Sequence, residues 1–190
     1  MIRLAPVAAR RAKAIPRRAA LSPSVPPLVK IISLGAAPIC SASRAALLTG
    51  KTPASLHFEF VTKDQAGYQK VDAPLQAPLY PTDLPLEEVT IAEVLRDADY
   101  QTAFFGKWHL NRHHGRYLGW SPTHGPKAQG FGIAEEDFGS HPYSYRKGGK
   151  DKTFLDLPEG EFVPDGMTRR AVDFLKQEHD RPFFLMVSHF

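Results

Sequence analysis

The chain has 190 residues, a formal net charge of +4 at pH 7 and a hydrophobic fraction of 43 %, values that predict one domain with a buried core. Its single cysteine excludes an internal disulfide bond, and its 17 prolines predict many loops. No apolar run approaches the length that a membrane-spanning helix requires.

The first 33 residues are rich in Ala, Arg and Pro. Residues 1–58 contain nine Lys or Arg residues and no Asp or Glu, so the positive charge belongs to this end of the chain. Prolines prevent a long helix here, and we expect residues 1–33 to be a disordered basic arm. Such an arm is similar to a transit peptide or to a segment that binds nucleic acid or a membrane surface. It has no aromatic residue to stack on bases, and we predict no nucleic-acid partner.

The stretch from Pro38 to Gly50 contains the only cysteine, Cys40. Arg44 follows one helical turn later, and a short helical run then extends to Gly50, a residue type that favours helix ends. A cysteine just before a helix faces unpaired backbone N–H groups, which bind anions and stabilise a thiolate. The alternative interpretation is a small buried hydrophobe ahead of an Ala/Leu helix.

Residues 51–86 are predicted to be a proline-rich loop with one strand-like run from His57 to Val61, in which His57 is solvated. Residues 90–98 then predict a helix that begins with a capping box between Thr90 and Glu93. Its predicted buried face has four members with helical spacing, namely Ile91, Val94, Leu95 and Ala98. Asp99 follows and tolerates a left-handed turn better than most residues.

Residues 100–105 predict a buried strand that ends in the sequence Gly-Lys-Trp-His-Leu, from Gly106 to Leu110. In open α/β sheets, ligand-binding residues lie just past the carboxyl ends of strands. On an extended segment Lys107 and His109 point to the same side, as suits a bound anion and the proton transfers around it. The alternative is a strand end with a solvent-reaching lysine and a hydrogen-bonded histidine.

Residues 111–150 are rich in Gly, His and aromatic side chains. His109 and His113 have the spacing of two metal ligands on a helix, but Gly115 and Gly119 argue against a helix and a zinc site is not predicted. The histidines His113, His114, His124 and His141 are predicted to be solvated loop residues. Contact with a substrate is the alternative role for some of them.

Residues 165–179 predict a second helix, capped by Asp165. Its predicted apolar stripe consists of Met167, Ala171, Phe174 and Leu175. A continuous apolar strand from Phe183 to Val187 follows, so the strand, helix, strand order predicts parallel strands in a covered sheet.

Two motifs together resemble the signature of the formylglycine-dependent sulfatases. The family motif Cys-x-Pro-Ser-Arg, followed by Thr-Gly, is matched from Cys40 to Gly50, with Ala42 where the family usually has proline. The family's Gly-Lys-x-His element is matched from Gly106 to His109. The resemblance implies a chain of the α/β class. Residues 34–190 would form a partial sulfatase catalytic domain with the alkaline-phosphatase-like fold, which has a mostly parallel sheet covered by helices.

The resemblance also implies a role for four residues. A maturation enzyme would convert Cys40 to formylglycine, which is the nucleophile and one ligand of a calcium ion. Arg44 would hold the aldehyde hydrate, and Lys107 would contact both the hydrate and the sulfate. His109 would hydrogen-bond the second hydroxyl and assist sulfate release. The implied substrate is a sulfate monoester, either a sulfated small molecule or a sulfated polysaccharide.

Family members also have an Asp-Asp pair that binds calcium, and further ligands in a later half. This chain has no Asp-Asp pair and no acidic residue before Glu59. We therefore expect a fragment that is inactive in isolation through its missing metal ligands. The alternatives are a catalytically dead binding module with this fold, and a related hydrolase of phosphonate or phosphate esters.

Overall fold

The computed structural model describes residues 37–62, 74–75, 78–115, 117–135, 157–158 and 160–189. The predicted arm of residues 1–33 and His141 lie outside these ranges, so the prediction of a disordered arm stays a prediction. Among the helices described here, none is long and apolar enough to cross a membrane.

Three α-helices and three strands make up the regular structure of the described residues. In chain order they are α1 (Cys40–Thr49), α2 (Ile91–Asp97), β1 (Gln101–Gly106), β2 (Ile133–Glu135), α3 (Val163–Lys176) and β3 (Phe183–Ser188). A short 3-10 helix, Pro126–Gln129, precedes β2.

The strands form one sheet in the order β2-β1-β3, and β1 pairs in parallel with both neighbours. In the β1–β3 pairing Gln101 lies opposite Phe183 and Gly106 lies opposite Ser188. The carboxyl ends of these two strands therefore meet at one edge of the sheet. The predictions of an α/β class and of parallel strands are confirmed.

The sheet is covered on both faces because successive side chains of β1 point in opposite directions. Phe104 packs in one core cluster with Leu48 of α1 and with Trp108. Phe105 packs in the other with Met167 of α3. A strand that is buried on both faces carries a continuous apolar run, as β1 does from Ala103 to Phe105.

Helix α2 confirms one prediction and corrects another. The capping box is present: Thr90 accepts from the Glu93 amide, and the Glu93 carboxylate accepts from the Thr90 amide at 2.8 Å. The predicted buried face is confirmed only in part: Ile91 packs against the core and Leu95 is half-buried, but Val94 is 52 % exposed and Ala98 is also exposed. Ala92, which the pattern did not include, is fully buried. This two-turn helix packs through its first turn, where the Thr90 hydroxyl donates to the Gln129 carbonyl.

Helix α3 starts two residues earlier than predicted. Asp165 lies in its first turn and accepts from the Phe162 amide at 2.9 Å, so it is not the N-cap residue itself. Met167, Ala171 and Phe174 are buried as predicted, but Leu175 is 49 % exposed. The buried stripe of α3 is therefore narrower than the stripe that its apolar residues predict.

The structure also differs from the sequence analysis at one predicted strand and at one strand that was not predicted. The segment from His57 to Val61 is not a strand, because His57 turns the chain with φ at 51°. Strand β2 was not predicted, since its three residues carry too little periodicity to be recognised.

Candidate active site

Helix α1 positions Cys40 and Arg44 one turn apart. The helix begins at Cys40 itself rather than after it, with Ile39 in an extended N-cap conformation. It ends at Thr49, and Gly50 follows as predicted just past the helix end, with a left-handed conformation. Ala42 and Ala45 are fully buried, so the helix approaches the core closely and directs its first turn toward the strand ends.

The end of β1 depends on the absence of a side chain at Gly106. Its φ is 111°, and a Cβ atom there would lie 2.2 Å from the Ser188 carbonyl oxygen and 2.4 Å from Cε of Met167. The next amide, that of Lys107, donates to the Ser188 carbonyl at 2.8 Å. The ends of β1 and β3 are thereby held together directly before the predicted site residues.

Lys107 and His109 both approach Cys40, but not because the segment is extended. His109 has a left-handed backbone with φ at 55°, which corrects the extended geometry predicted from the sequence. Its ring nitrogen Nδ1 lies 3.2 Å from Cys40 Sγ, and Nε2 lies 3.3 Å from the Thr62 carbonyl oxygen. Because a carbonyl oxygen only accepts, we assign the proton to Nε2, which leaves Nδ1 as the acceptor that faces Cys40.

The environment of His109 keeps its imidazole neutral. Burial, together with the positive charge of Lys107, lowers the pKa of His109 to about 3. Only 4 % of the residue is exposed. The ring therefore stays neutral throughout the neutral range, with one nitrogen as a hydrogen-bond acceptor.

Arg44 connects α1 to the ends of β1 and β3. One terminal nitrogen donates to the Lys107 carbonyl at 2.6 Å and to the Ser188 hydroxyl, and the other donates to the His189 carbonyl at 2.9 Å. Burial lowers the pKa of Arg44, and Cys40 opposes that shift. A guanidinium remains charged in proteins, so a fixed positive charge lies one helical turn from Cys40.

Lys107 adds a second cation at Cys40. Burial lowers the pKa of Lys107, while Cys40 raises it through its charge and a side-chain hydrogen bond. Arg44 lowers it further by repulsion. The structure thus brings all four predicted residues together around the amino terminus of α1, in an arrangement that suits an anion.

A calcium ion does not fit the described residues near Cys40. Calcium takes six to eight oxygen ligands, usually with several carboxylates. The side chains around Cys40 are instead Arg44, Lys107 and a neutral imidazole. Within the described ranges no group of three or more His, Cys, Asp or Glu residues is arranged to hold a metal.

Sequence reasoning missed three residues that organise the site: Thr62, Ser188 and His189. Thr62 holds His109 through its carbonyl, and its amide donates to the Ser41 hydroxyl at 3.2 Å. His189 contributes a backbone carbonyl to Arg44. A backbone carbonyl leaves no signal in a sequence, since every residue has one.

The neighbouring histidines are not all solvated. His57 and His114 are exposed as predicted, but His113 and His124 are half-buried. The His113 ring stacks on that of His109 with a centroid distance of 5.9 Å.

Comparison with known proteins shows that the chain is similar to members of one family. A family model described as Sulfatase matches residues 31–189. The "Ulvan-active sulfatase" of Formosa agariphila is 30 % identical over 158 residues, which are 80 % of this chain and 25 % of that protein. Human "Arylsulfatase A" is 37 % identical over an alignment of 178 residues, which covers 77 % of this chain and 30 % of that protein.

The solved structure of Ps i-CgsB has the same fold. It superposes with a TM-score of 0.52 at 24 % identity, over 82 % of this chain and 35 % of that chain. The chain thus spans about a quarter of the length of the curated relatives it matches. Because the family model covers most of its residues, this chain belongs to the sulfatase family.

Proposed function

We propose that this chain carries the nucleophile side of a sulfuric ester hydrolase site, in which a formylglycine derived from Cys40 cleaves a sulfate monoester. The observation that carries the proposal is the convergence of Arg44, Lys107 and His109 on Cys40, with Sγ and Nδ1 of His109 3.2 Å apart.

Positive charge around Cys40 supports a sulfate ester as the ligand. Arg44 and Lys107 lie beside the first turn of a ten-residue helix, whose unpaired N–H groups also favour an anion. Fixed donors in a half-buried site stabilise the negative charge that develops during the reaction, because these donors do not have to reorganise. Arg44 also holds the strand ends in place through the Lys107 and His189 carbonyls.

The tautomer of His109 supports a role in proton transfer. With its Nε2 proton directed to Thr62, the ring has its Nδ1 lone pair toward Cys40. A bound sulfate would offset the charge of Lys107, and the pKa of His109 would rise from about 3 toward its ordinary value. His109 would thus become a better base when substrate is present.

Cys40 fits the position of a formylglycine. It lies at the first residue of α1, is half-buried and has a hydrogen-bond acceptor at Nδ1 of His109. Formylglycine would supply an oxygen nucleophile at this position. No step is assigned to calcium, because the described residues do not fit it.

The state of Cys40 tests the proposal. We would express the chain with a formylglycine-generating enzyme and analyse the Cys40 peptide by mass spectrometry, with Cys40→Ala as the control. The expected result is a peptide mass that corresponds to the aldehyde. A persistent thiol, in cells that modify a known sulfatase, would favour the alternative of a catalytically dead module.

Turnover of a chromogenic aryl sulfate in excess calcium is the second readout. The isolated chain is expected to lack turnover, because the described residues provide no group of metal ligands. Calcium-dependent turnover that the Cys40→Ala variant lacks would overturn this expectation while supporting the site assignments.

A further inference from the structure

Two buried hydroxyls lie between the start of α1 and the His109 ring. Ser41 follows Cys40 in the first turn of α1, and Thr62 lies in the loop that follows this helix; both residues are fully buried. We propose that Ser41 and Thr62 are positioning residues, which hold the His109 ring and its Nε2 tautomer at Cys40 whatever the chemical state of Cys40. This inference rests on the proposed function, in which the ring accepts a proton at that position.

The hydrogen bonds of Thr62 join the other two residues and have one consistent direction. The Thr62 hydroxyl donates to the His109 carbonyl at 3.3 Å. Because this bond uses its only proton, the Ser41 hydroxyl is the donor in the 3.4 Å contact between the two hydroxyls. The Thr62 amide donates back to Ser41 Oγ at 3.2 Å, and Nε2 of His109 donates to the Thr62 carbonyl at 3.3 Å. Thr62 therefore bonds twice to Ser41 and twice to His109.

The bonds to Thr62 fix the tautomer of His109 from the side of the ring that faces away from Cys40. If the proton moved to Nδ1, the lone pair of Nε2 would face the Thr62 carbonyl oxygen, and two buried acceptors would be left unpaired. Only 4 % of His109 and none of Thr62 is exposed, so solvent has little access to replace the lost bond. The proton therefore stays on Nε2, and Nδ1 stays an acceptor.

The Thr62 hydroxyl also supports the backbone of His109. This backbone is left-handed, with φ at 55°, a conformation that residues with a side chain seldom adopt. The bond from the Thr62 hydroxyl to the His109 carbonyl is a contact to this strained peptide from outside its own segment. One side chain thus stabilises the backbone that directs the ring toward Cys40.

The contact with Cys40 contributes less to the position of the ring. The 3.2 Å between Cys40 Sγ and Nδ1 of His109 is a single hydrogen bond, and a thiol is a weak donor. Ser41 is next to Cys40 in the same helical turn, so its bonds to Thr62 set the separation of Cys40 and the ring without using the thiol. Conversion of Cys40 to formylglycine would leave the acceptor in place.

NMR of the imidazole nitrogens tests the inference, because the chemical shifts of protonated and unprotonated ring nitrogens differ. Spectra of the 190-residue chain would be recorded at pH 7, and His109→Gln would assign the His109 signals. Thr62→Val keeps the branched shape and removes the hydroxyl, and Thr62→Ser keeps the hydroxyl. The matched control is Thr102→Val, which removes another buried threonine hydroxyl with two hydrogen bonds, to the Gly130 carbonyl and from the Gly132 amide.

Wild type and Cys40→Ala should both show the proton on Nε2, because the contacts between Ser41 and Thr62 remain in both. Thr62→Val should lower the ratio of the Nε2 to the Nδ1 tautomer roughly fivefold, the effect of about one lost hydrogen bond, and Thr62→Ser should restore it. Ser41→Ala removes the acceptor of the Thr62 amide and should lower the ratio in the same direction. Thr102→Val should leave it unchanged.

Three results would overturn the inference. A change of tautomer in Cys40→Ala would show that the thiol holds the ring. Equal effects of Thr62→Val and Thr102→Val would show a general loss of stability instead of a positioning role. An unchanged ratio in both Thr62→Val and Ser41→Ala would show that the two hydroxyls do not hold the ring.

A failure of the proposed function is recognised separately, because the mass of the Cys40 peptide reports formylglycine and the nitrogen shifts report only the His109 ring. A persistent thiol would remove the proposed function and, with it, the role of Ser41 and Thr62 in that reaction. An aldehyde at Cys40 together with unchanged ratios in Thr62→Val and Ser41→Ala would leave the proposed function and overturn only the inference.

Discussion

Nδ1 of His109 lies 3.2 Å from Sγ of Cys40, while Nε2 of the same ring faces the Thr62 carbonyl at 3.3 Å. A single neutral imidazole therefore joins the start of α1 to the segment after β1 and to the loop at Thr62. This contact defines both the orientation of the ring and the atom that would receive a proton.

Burial of His109 makes folding stability depend on pH. Its folded pKa of about 3 lies below the unfolded value of about 6.5. The unfolded chain therefore binds more protons between these values, and stability that is fully present above pH 6.5 is lost as the pH falls toward 3. Between pH 7 and pH 5 the expected loss in free energy of unfolding is about 2 kcal/mol.

Urea unfolding of wild type and His109→Gln at pH 7 and pH 5 would measure this contribution. The variant should lose that part of the pH dependence, because glutamine does not titrate. His57→Asn, at an exposed position, should keep the wild-type dependence. If the free energy of unfolding changes equally between pH 7 and pH 5 in wild type and in His109→Gln, the prediction is wrong.

Removal of the Lys107 charge should raise the pKa of His109. The charge of Lys107 is the second cause of the depression after burial, so the pKa in Lys107→Met should rise yet stay below its ordinary value. NMR titration of the imidazole would measure it. Lys51→Met is the control, because Lys51 is exposed and paired with Glu88. An equal rise of the His109 pKa in both variants would contradict a local effect of the Lys107 charge.

Substitution of Gly106 should destabilise the strand end severely. A methyl group would collide with the Ser188 carbonyl, which is backbone and cannot rotate away. Gly106→Ala should lower the free energy of unfolding by more than about 3 kcal/mol. Gly115→Ala should lower it by only about 1–2 kcal/mol, because Gly115 also has a positive φ but a Cβ atom there would have no neighbour within 4 Å. If chemical denaturation shows equal losses in free energy of unfolding for Gly106→Ala and Gly115→Ala, the positive φ alone explains the glycine at position 106.

Replacement of Arg44 by lysine should destabilise the chain although the charge is kept. A guanidinium reaches the Lys107 carbonyl, the Ser188 hydroxyl and the His189 carbonyl together, whereas an ammonium lacks the planar fork that does so. Arg44→Lys should lower the free energy of unfolding by about 2–3 kcal/mol. Arg96→Lys, which affects an exposed pair with its neighbour Asp97, should change it by less than about 0.5 kcal/mol. A neutral result for Arg44→Lys would mean that water replaces these bonds.

The sequence by itself determined the local features of the site. Gly50 ends α1 and the Thr90–Glu93 capping box starts α2, because each depends on residues within one helical turn. The apolar runs of β1 and β3 predicted buried parallel strands, and Cys40, Arg44, Lys107 and His109 were recognised by their motifs. All four lie together in the structure.

Only the tertiary structure decided what surrounds them. The exposure of Val94 and Leu175 depends on which turn of each helix meets the core, and helical spacing does not specify this. The left-handed conformation of His109 and its contact with the Thr62 carbonyl arise from packing between segments distant in sequence. Because a backbone carbonyl is the same for every residue type, such partners become visible only when long-range contacts bring them into place.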